Sequence, residues 1–255
     1  MHLAELRRTD GRAALVTGSA RGIGKAIALA LAAGGARVAV HGTAPGAALE
    51  ATLAAVRALS PTSVAVTGNL AQPETASRIV AEAAAALDAL DILVANAGTS
   101  VRKRWEDITP EEAEQQMQVN FHASWRMMQA AVPAMRSKGW GRILAIGSSQ
   151  QQCPNAALAI YAASKAAQEN LVRNLARQLG PFGITVNNLS PGVVKTDRNV
   201  PRLADEAFAD RLRAVIPVSF FGETEDCAAA ATLLCSDAGR YINGADIRVD
   251  GGRTA

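Results

Sequence analysis

The chain of 255 residues is 49% hydrophobic, which suffices for a large buried core and suits one α/β domain. Its formal net charge of +3 comes from 26 basic and 23 acidic residues spread along the chain. This balance gives no support for a nucleic-acid partner, since a small phosphate-bearing ligand accounts for it equally well.

The three cysteines contain no Cys-x-x-Cys pair and predict no disulfide framework, and the dispersed His2, His41 and His122 do not suggest a metal cluster. No apolar run reaches the length of about 18 residues expected of a membrane span, and the start of the chain lacks the apolar core of a signal peptide. The sequence therefore predicts a soluble, cytoplasmic protein without metal, membrane or nucleic-acid partners.

Short β-branched runs alternate with alanine-rich helical stretches along the chain. The predicted strands are 13–17, 37–40, 64–67, 92–95, 143–146, 184–189 and 246–249. The predicted helices are 22–33, 47–59, 73–87, 110–137, 161–179 and 225–234. The connections are long enough for parallel crossovers, so the pattern predicts a single doubly wound Rossmann-type domain over 1–255. We expect a seven-stranded parallel sheet with helices on both faces.

The stretch 191–222 is irregular, with three prolines around a short helical pattern at 203–215. Open α/β sheets bind ligands beyond the carboxyl ends of their strands, so we expect this stretch to be a substrate lid. An elaborated crossover connection is the alternative. The lid sequence also predicts that part of the substrate pocket is apolar, lined by Val215, Ile216, Phe220 and Phe221.

The first predicted strand runs into a glycine-rich turn at 17–24, and a helix begins within that turn. Glycines at such a turn let the backbone approach a pyrophosphate, and the helix N-terminus offers unpaired N–H groups. The strict Gly-x-Gly-x-x-Gly pattern is not met, because Ile27 stands where the third glycine would be. By itself the turn fits methyltransferases and nucleotide sensors as well as dehydrogenases.

Tyr161 and Lys165 are four residues apart at the start of a predicted helix, which places both side chains on one face. An ammonium beside a phenol stabilises the phenolate, so the spacing predicts a tyrosine pKa below its ordinary value of about 10. Such a tyrosine is suited to proton transfer. A tyrosine and a lysine with this spacing also occur by chance in many helices.

Several motifs follow one another in a fixed order over about 12–252. They are Thr-Gly-x-x-x-Gly-x-Gly at 17–24, Asn96-Ala97-Gly98, Asn120, Ser148, Tyr161 with Lys165, Pro191-Gly192 and Val249-Asp250-Gly251-Gly252. This order and spacing resembles the short-chain dehydrogenase/reductase family. The resemblance implies an NAD(P)-dependent oxidoreductase that transfers a hydride between nicotinamide and a small carbonyl compound or secondary alcohol, with Tyr161 as general acid/base.

The resemblance also implies a role for each catalytic candidate. Ser148 stands at the family's spacing before Tyr161 and is expected to hold the substrate oxygen, with Ser149 as the alternative. Asn120 is expected to hold a water molecule beside Lys165, and Lys165 is also expected to hydrogen-bond the nicotinamide ribose.

The cofactor-binding candidates lie in the glycine turn and after the predicted strands. They are Gly18, Ser19, Arg21, Gly22, Ile23, Gly24, His41, Gly42, Thr43, Asn69, Leu70, Asn96, Ala97, Gly98, Tyr161, Lys165, Pro191, Gly192, Val194 and Thr196. The Asn-Ala-Gly segment is most simply structural, since small residues let the ribose pass close to the backbone.

The choice of cofactor depends on the residues after the second strand. An NAD-specific site places a carboxylate there, and Gly42 stands where NAD-specific relatives carry aspartate. Thr43 stands where many NADP-specific relatives carry arginine, while Arg21 stands where a basic residue commonly meets the 2′-phosphate. Thr43 or His41 is expected to add a hydrogen bond. NADP(H) is favoured, and NAD(H) with Arg21 over the adenine is the alternative.

The substrate stays open between a 3-oxoacyl group and a sugar or polyol. Phe182 stands where 3-oxoacyl reductases commonly carry arginine. Gln150-Gln151-Gln152 and Asn155 offer hydrogen bonds to a hydroxylated substrate, although ordinary solvent exposure explains them equally well. The run Arg102-Lys103-Arg104 either faces an anionic substrate or is solvated.

A function of another class is a non-catalytic dinucleotide-binding sensor, against which the intact serine, tyrosine and lysine argue. The resemblance further implies a homotetramer. Its interfaces are expected to pair the helices 110–137 and 161–179 across a two-fold axis and to use 246–252 in a second interface.

Overall fold

The computed structural model describes residues 8–255, so the predictions for 1–7, including His2, lie outside the described residues. The sheet has seven parallel strands in the order β3-β2-β1-β4-β5-β6-β7. The strands are β1 Ala13–Val16, β2 Arg37–Gly42, β3 Val64–Thr67, β4 Ile92–Ala95, β5 Gly141–Ile146, β6 Ile184–Pro191 and β7 Asp246–Val249. The predicted fold class is confirmed, and the order reverses between β1 and β4, where ligands bind in such sheets.

Helices cover both faces of the sheet. They are α1 Gly22–Ala33, α2 Ala47–Leu59, α3 Thr75–Leu87, α4 Pro110–Met117, α5 Ala123–Lys138, α6 Ala159–Leu179, α7 Val200–Leu203, α8 Glu206–Ala214 and α9 Thr224–Cys235. One face packs mainly on α3, α5 and α6, and the other on α1, α2 and α9. In β1, Leu15 belongs to the first buried cluster and Val16 to the second. Burial on both faces explains why the strands are continuous apolar runs.

The predicted single helix 110–137 is interrupted. It consists of α4, a wide π-helical turn at Gln118–His122, and α5. Such turns insert an extra residue and are frequent at functional sites. Here the turn contains Asn120, whose side chain is fully buried. The hydrophobic period could not reveal this interruption, because the helical pattern resumes directly after it.

The stretch 191–222, for which we keep the name lid from the prediction, begins at the end of β6 and contains the short helices α7 and α8. Ile216 and Phe221 are buried with Ala209 in a small cluster of their own. Val215 and Phe220 are 55% and 60% exposed. The lid therefore has its own small core, separate from the two clusters on the sheet.

Candidate active site

A cleft of about 820 Å³ opens at the carboxyl ends of the strands, next to the point where the strand order reverses. This volume lies within the range of roughly 300–1,000 Å³ that is usual for small-molecule sites. Among residues 8–255, no group of three or more His, Cys, Asp or Glu side chains is placed to hold a metal ion. No helix in that part of the chain is both long enough and apolar enough to cross a bilayer.

The structure brings almost all of the predicted site residues to this cleft. The catalytic candidates Ser148, Tyr161 and Lys165 line it, as do the predicted cofactor residues, with one exception. That exception is Ser19, which, like Asn120, is fully buried behind the cleft wall. The spacing of the sequence motifs therefore predicted which residues lie at the cleft. The contacts of each side chain indicate its role there.

The glycine turn is closely packed and leaves no room for side chains at some of its glycines. Gly18 and Gly22 have φ values of +64° and +57°, a region that favours glycine. A Cβ atom at Gly24 would lie 2.4 Å from Nδ2 of Asn96 and 2.5 Å from the carbonyl oxygen of Gly18. No side chain fits at Gly24 unless the turn itself shifts. The turn therefore presents bare backbone beside the N-terminus of α1, which suits a pyrophosphate.

Ser19 and His41 hold this turn against β2. The Ser19 hydroxyl donates to Val16 O (2.8 Å) and accepts from the His41 amide (2.8 Å). In the His41 ring, Nδ1 accepts from the Gly18 amide (3.0 Å), so Nε2 carries the proton and donates to Gly68 O (3.1 Å). Burial lowers the pKa of His41, which favours the neutral ring. The predicted hydrogen bond from His41 to a cofactor is therefore wrong, because the ring donor is already used.

Asn96 ties β4 to the glycine turn. Its Nδ2 donates to Thr17 O (2.7 Å) and Gly18 O (3.2 Å), and its amide donates to Thr17 Oγ1 (3.0 Å). These contacts agree with the structural interpretation of the Asn-Ala-Gly segment. Gly98 then passes close to the catalytic candidates, since a Cβ there would lie 3.2 Å from Asn120 Oδ1 and 3.6 Å from Lys165 Nζ.

Pro191 and Gly192 carry the cleft wall onwards from β6. A Cβ atom at Gly192 would lie 2.6 Å from the Cα of Asp250, so the two segments touch backbone to backbone. Asp250 in turn accepts hydrogen bonds from the Gly252 amide (2.9 Å) and the Thr254 hydroxyl (2.6 Å). The terminal Val-Asp-Gly-Gly motif thus packs directly against the cleft wall.

Ser148 and Tyr161 come from two elements that meet at the cleft. Ser148 lies two residues after the end of β5 and is the N-cap of a short helical turn. Its Oγ accepts a hydrogen bond from the Gln150 amide (3.2 Å). Tyr161 lies in the first turn of α6. Burial raises the pKa of Tyr161 above its usual range, while hydrogen bonding with Ser148 and the positive charge of Arg198 act less strongly in the opposite direction. The predicted lowering, which depends also on an oxidised nicotinamide beside the phenol, stays a prediction.

Lys165 is almost completely buried, with 2% of its surface exposed. Its Nζ donates to Ile146 O (2.6 Å) and to Gln168 Oε1 (3.1 Å). Burial, and then the charge of Arg198, lower the pKa of Lys165 to about 7. Burial therefore opposes the charged ammonium, and the two hydrogen bonds fix Nζ beside Ile146 and Gln168.

Asn120 joins the loop after β4 to α6. Its Oδ1 accepts from the Thr99 amide (2.8 Å), and its Nδ2 donates to Thr99 O (2.9 Å) and Ser164 Oγ (2.9 Å). Ser164 Oγ donates to Tyr161 O at 2.7 Å. The side chain therefore fixes the start of α6, and the expected water beside Lys165 stays a prediction.

The substrate side of the cleft differs in detail from the prediction. Gln150 lines it, and its buried Oε1 accepts no hydrogen bond from the described residues. Gln151 and Gln152 instead donate to Asp246. The residues predicted for the apolar lining are wrong, because Val215, Ile216, Phe220 and Phe221 do not line the cleft, although part of the lining is apolar as predicted. The apolar residues of 191–222 that line it are Pro191, Val193, Val194, Leu203, Phe208 and Leu212.

Sequence reasoning missed the basic side chains of this region. Arg198, Arg202 and Arg253 line the cleft, as does Arg102 from the predicted basic run. In the sequence, only their positions could have indicated a place in the cleft. Arg102 follows a strand, Arg198 and Arg202 lie in the lid, and Arg253 follows the terminal motif. The other two members of the run face elsewhere, since Lys103 pairs with Glu112 (2.6 Å) and Arg104 with Glu106.

A doubly wound sheet, a glycine turn and a tyrosine–lysine pair in one cleft define a dinucleotide-dependent oxidoreductase. A family profile described as enoyl-(acyl carrier protein) reductase matches residues 18–254. L-rhamnose 1-dehydrogenase (NAD(P)(+)) of Sphingomonas sp. is 33% identical over 248 residues, which cover 97% of this chain and 98% of that protein. The chain therefore belongs to the short-chain dehydrogenase/reductase family and is an NAD(P)-dependent oxidoreductase.

Solved structures agree over the whole chain. A 3-oxoacyl (acyl-carrier-protein) reductase from Agrobacterium tumefaciens with NADP bound has a TM-score of 0.93 and 36% identity, covering 98% of this chain and 97% of that one. A short chain dehydrogenase from Burkholderia cenocepacia in complex with NADP has a TM-score of 0.90 and 38% identity, covering 97% and 100%.

Proposed function

We propose that the protein catalyses the interconversion of a small ketone and its secondary alcohol, with Tyr161 as the general acid/base. The observation that carries this proposal is the meeting of Ser148, Tyr161 and Lys165 in one cleft with the glycine turn. When bound there, the reduced cofactor supplies a hydride to the carbonyl carbon. Tyr161 supplies the proton to the carbonyl oxygen, which gives the alcohol.

The direction of the pKa shift suits ketone reduction. Burial raises the pKa of Tyr161, so the phenol is protonated at neutral pH and ready to act as an acid. Ser148 orients the substrate oxygen beside it. Lys165, with Nζ near Gly98, binds the nicotinamide ribose. Asn120 fixes the start of α6 and holds a water molecule beside Lys165, through which a replacement proton reaches Tyr161.

We propose NADP(H) as the favoured cofactor, with NAD(H) used less well. Gly42 leaves this end of the cleft without a carboxylate that would repel a 2′-phosphate. Arg21 and Thr43 are exposed at the same end, where a guanidinium and a hydroxyl reach the 2′-phosphate. The NADP bound to both structural relatives supports this preference.

For the substrate we propose a small hydroxylated compound of the sugar or polyol type. Gln150 and Asn155 line the cleft, and the buried Gln150 Oε1 offers an acceptor for a hydroxyl. The L-rhamnose dehydrogenase relative supports this class. A 3-oxoacyl substrate is the second candidate, supported by the A. tumefaciens relative. Against it, Phe182 replaces the usual arginine and packs under the guanidinium of Arg136 (4.1 Å from its centroid).

Assembly, location and the lid belong to the same proposal. We propose a cytoplasmic homotetramer built on α4 to α6 and on 246–252, with 191–222 closing over the substrate. Trp125 on α5 is 41% exposed and Tyr241, just before β7, is 99% exposed, which suits buried positions in such interfaces. Cys153, Cys227 and Cys235 are free thiols, as suits a reducing compartment. Light scattering that returned a monomer of 26.5 kDa would contradict the tetramer.

The direct test follows NADPH absorbance with a panel of sugars, keto sugars, polyols and acetoacetyl-CoA. We expect turnover, at least tenfold faster per active site with a hydroxylated substrate than with acetoacetyl-CoA. Ser148→Ala should lower kcat by about 100-fold, whereas the neighbouring Ser149→Ala control should stay within a few fold. Cofactor binding without turnover across the panel would instead support the sensor.

A further inference from the structure

The substrate side of the cleft is unusually rich in positive charge. Four arginines line it, whereas Asp197 supplies the one carboxylate among the described lining residues. None of the four is ion-paired within residues 8–255. The four are Arg102, Arg198, Arg202 and Arg253.

Basic residues beside them in the chain do find partners. Lys103 pairs with Glu112, Arg104 with Glu106, and Lys195 with Glu223 at 2.5 Å. In the loop after β4 and in 191–202, the basic residues that line the cleft are therefore unpaired, and those that do not line it are paired. This sorting cannot be explained by general solvation of a basic run.

Arg102 and Arg202 come from two different walls of the cleft. Arg102 follows β4, while Arg202 lies in α7 of the lid and places its guanidinium 4.7 Å from the centroid of Phe208. Both line the cleft, and burial and then the positive charge of Arg202 lower the pKa of Arg102. Two guanidinium groups that line one cleft and have no ion-pair partner among the described residues form a site that gains stability when an anion enters.

The neighbouring groups extend this site towards the reacting atoms. Arg198 is fixed by a hydrogen bond from Nη2 to Gly98 O (2.8 Å), and its charge acts on both Tyr161 and Lys165. Nε of Arg253 is buried with no acceptor among the described residues. The cofactor phosphates have their own N–H donors at the glycine turn and α1, so they do not require this second cluster.

We propose that the physiological substrate carries an oxyanion, a carboxylate or a phosphate, which binds between Arg102 and Arg202 while its carbonyl or hydroxyl group faces Tyr161. This inference rests on the proposed function, because it names the substrate class of the same site. Guanidinium groups bind both oxyanions in bidentate fashion. Neutral sugars are then the poorer substrates.

The test measures binding by calorimetry to the NADPH-loaded enzyme, which cannot oxidise an added alcohol. Sorbitol, gluconate and sorbitol 6-phosphate form a matched series with no charge, a carboxylate and a phosphate. We expect at least one of the two anions to bind at least tenfold more tightly than sorbitol, and the better anion identifies the group. Equal affinities, or no measurable binding of either anion, would overturn the inference.

Variants separate this site from general electrostatics and from the cofactor. Arg102→Gln and Arg202→Gln should each weaken anion binding at least tenfold, while leaving the sorbitol affinity and the KM for NADPH within about twofold. The adjacent Arg104→Gln should bind anions like the wild type. A preference that survives both cleft substitutions, or falls equally with Arg104→Gln, would refute the site. If no substrate is turned over, the proposed function fails while this binding result still decides the anion site.

Discussion

The two halves of the cleft are built in different ways. On the cofactor side, the wall is backbone, held by buried hydrogen bonds among Thr17, Ser19, His41 and Asn96. On the substrate side, the wall consists of side chains, which include arginines from the loop after β4 and from the lid together with apolar lid residues. The first surface tolerates almost no change, whereas the second can vary without disturbing the sheet. We therefore expect the cofactor half to carry what the family shares and the substrate half to carry the choice of substrate.

Filling the backbone wall is expected to weaken both cofactor binding and the fold. In Gly24→Ala the new methyl group must displace Asn96 or the Gly18 carbonyl, which would lie 2.4 and 2.5 Å away. We expect at least tenfold weaker NADPH binding and a loss of about 1–3 kcal/mol in stability, measured by fluorescence titration and urea unfolding. Gly46→Ala is the control, since no heavy atom lies within 4 Å of its Cβ position. Equal behaviour of the two variants would show that the turn is not tight.

A second substitution tests the charged end of the cofactor half. Arg21→Ala should reduce kcat/KM for NADPH by about ten- to a hundredfold and leave that for NADH nearly unchanged, because only the former has a 2′-phosphate to lose. Steady-state kinetics with both cofactors measures this. A wild-type enzyme with a higher specificity constant for NADH, unaffected by the substitution, would reverse the assignment.

Across the cleft, stability should depend on pH through Lys165. Its pKa is about 7 in the folded protein against 10.5 when free, so the unfolded chain binds more protons between these values. The free energy of unfolding therefore rises as pH rises from 7 towards 10.5. From pH 7 to 9.5 the wild type should gain about 1–3 kcal/mol relative to Lys165→Met in urea unfolding. Parallel pH curves for the two proteins would contradict this.

The smallest effect concerns Arg198, which links the two halves. Its charge lowers the pKa of Tyr161, so Arg198→Gln should move the rise of alcohol oxidation with pH to higher pH by a few tenths. Ketone reduction at neutral pH needs the protonated phenol, and its pH profile should stay flat there. Arg211→Gln, an exposed arginine of α8 outside the cleft, should leave the oxidation profile unchanged. A shift towards lower pH in Arg198→Gln would exclude the electrostatic role.

The same contrast explains what the sequence could predict. Gly18 and Gly24 are required by the geometry of the turn, and Tyr161 and Lys165 by the helical period, so a short sequence motif can reveal them. The predicted hydrogen bond from His41 to the cofactor is wrong, because the ring partners of His41, Gly18 and Gly68, lie in two other segments of the chain. No local pattern records such contacts.

On the substrate half, the outcome depends on residues far apart in the chain. Gln152 turns away from the cleft because Asp246, 94 positions later, accepts its hydrogen bond. Phe221 leaves it for a cluster with Ala209 and Ile216. The sequence did not indicate an anion site in the lid, because only the fold brings Arg202 into the same cleft as Arg102. Hydrophobic periodicity and composition cannot predict such contacts between residues far apart in the chain.

The most direct measurement of the central claim compares NADPH binding and turnover in Tyr161→Phe. The substitution removes only the hydroxyl that transfers the proton, so fluorescence titration should give a dissociation constant within about twofold of wild type. Turnover of the best substrate from the panel should fall by about 100-fold or more. Activity within tenfold of wild type in this variant would contradict the assignment of Tyr161 as the general acid/base.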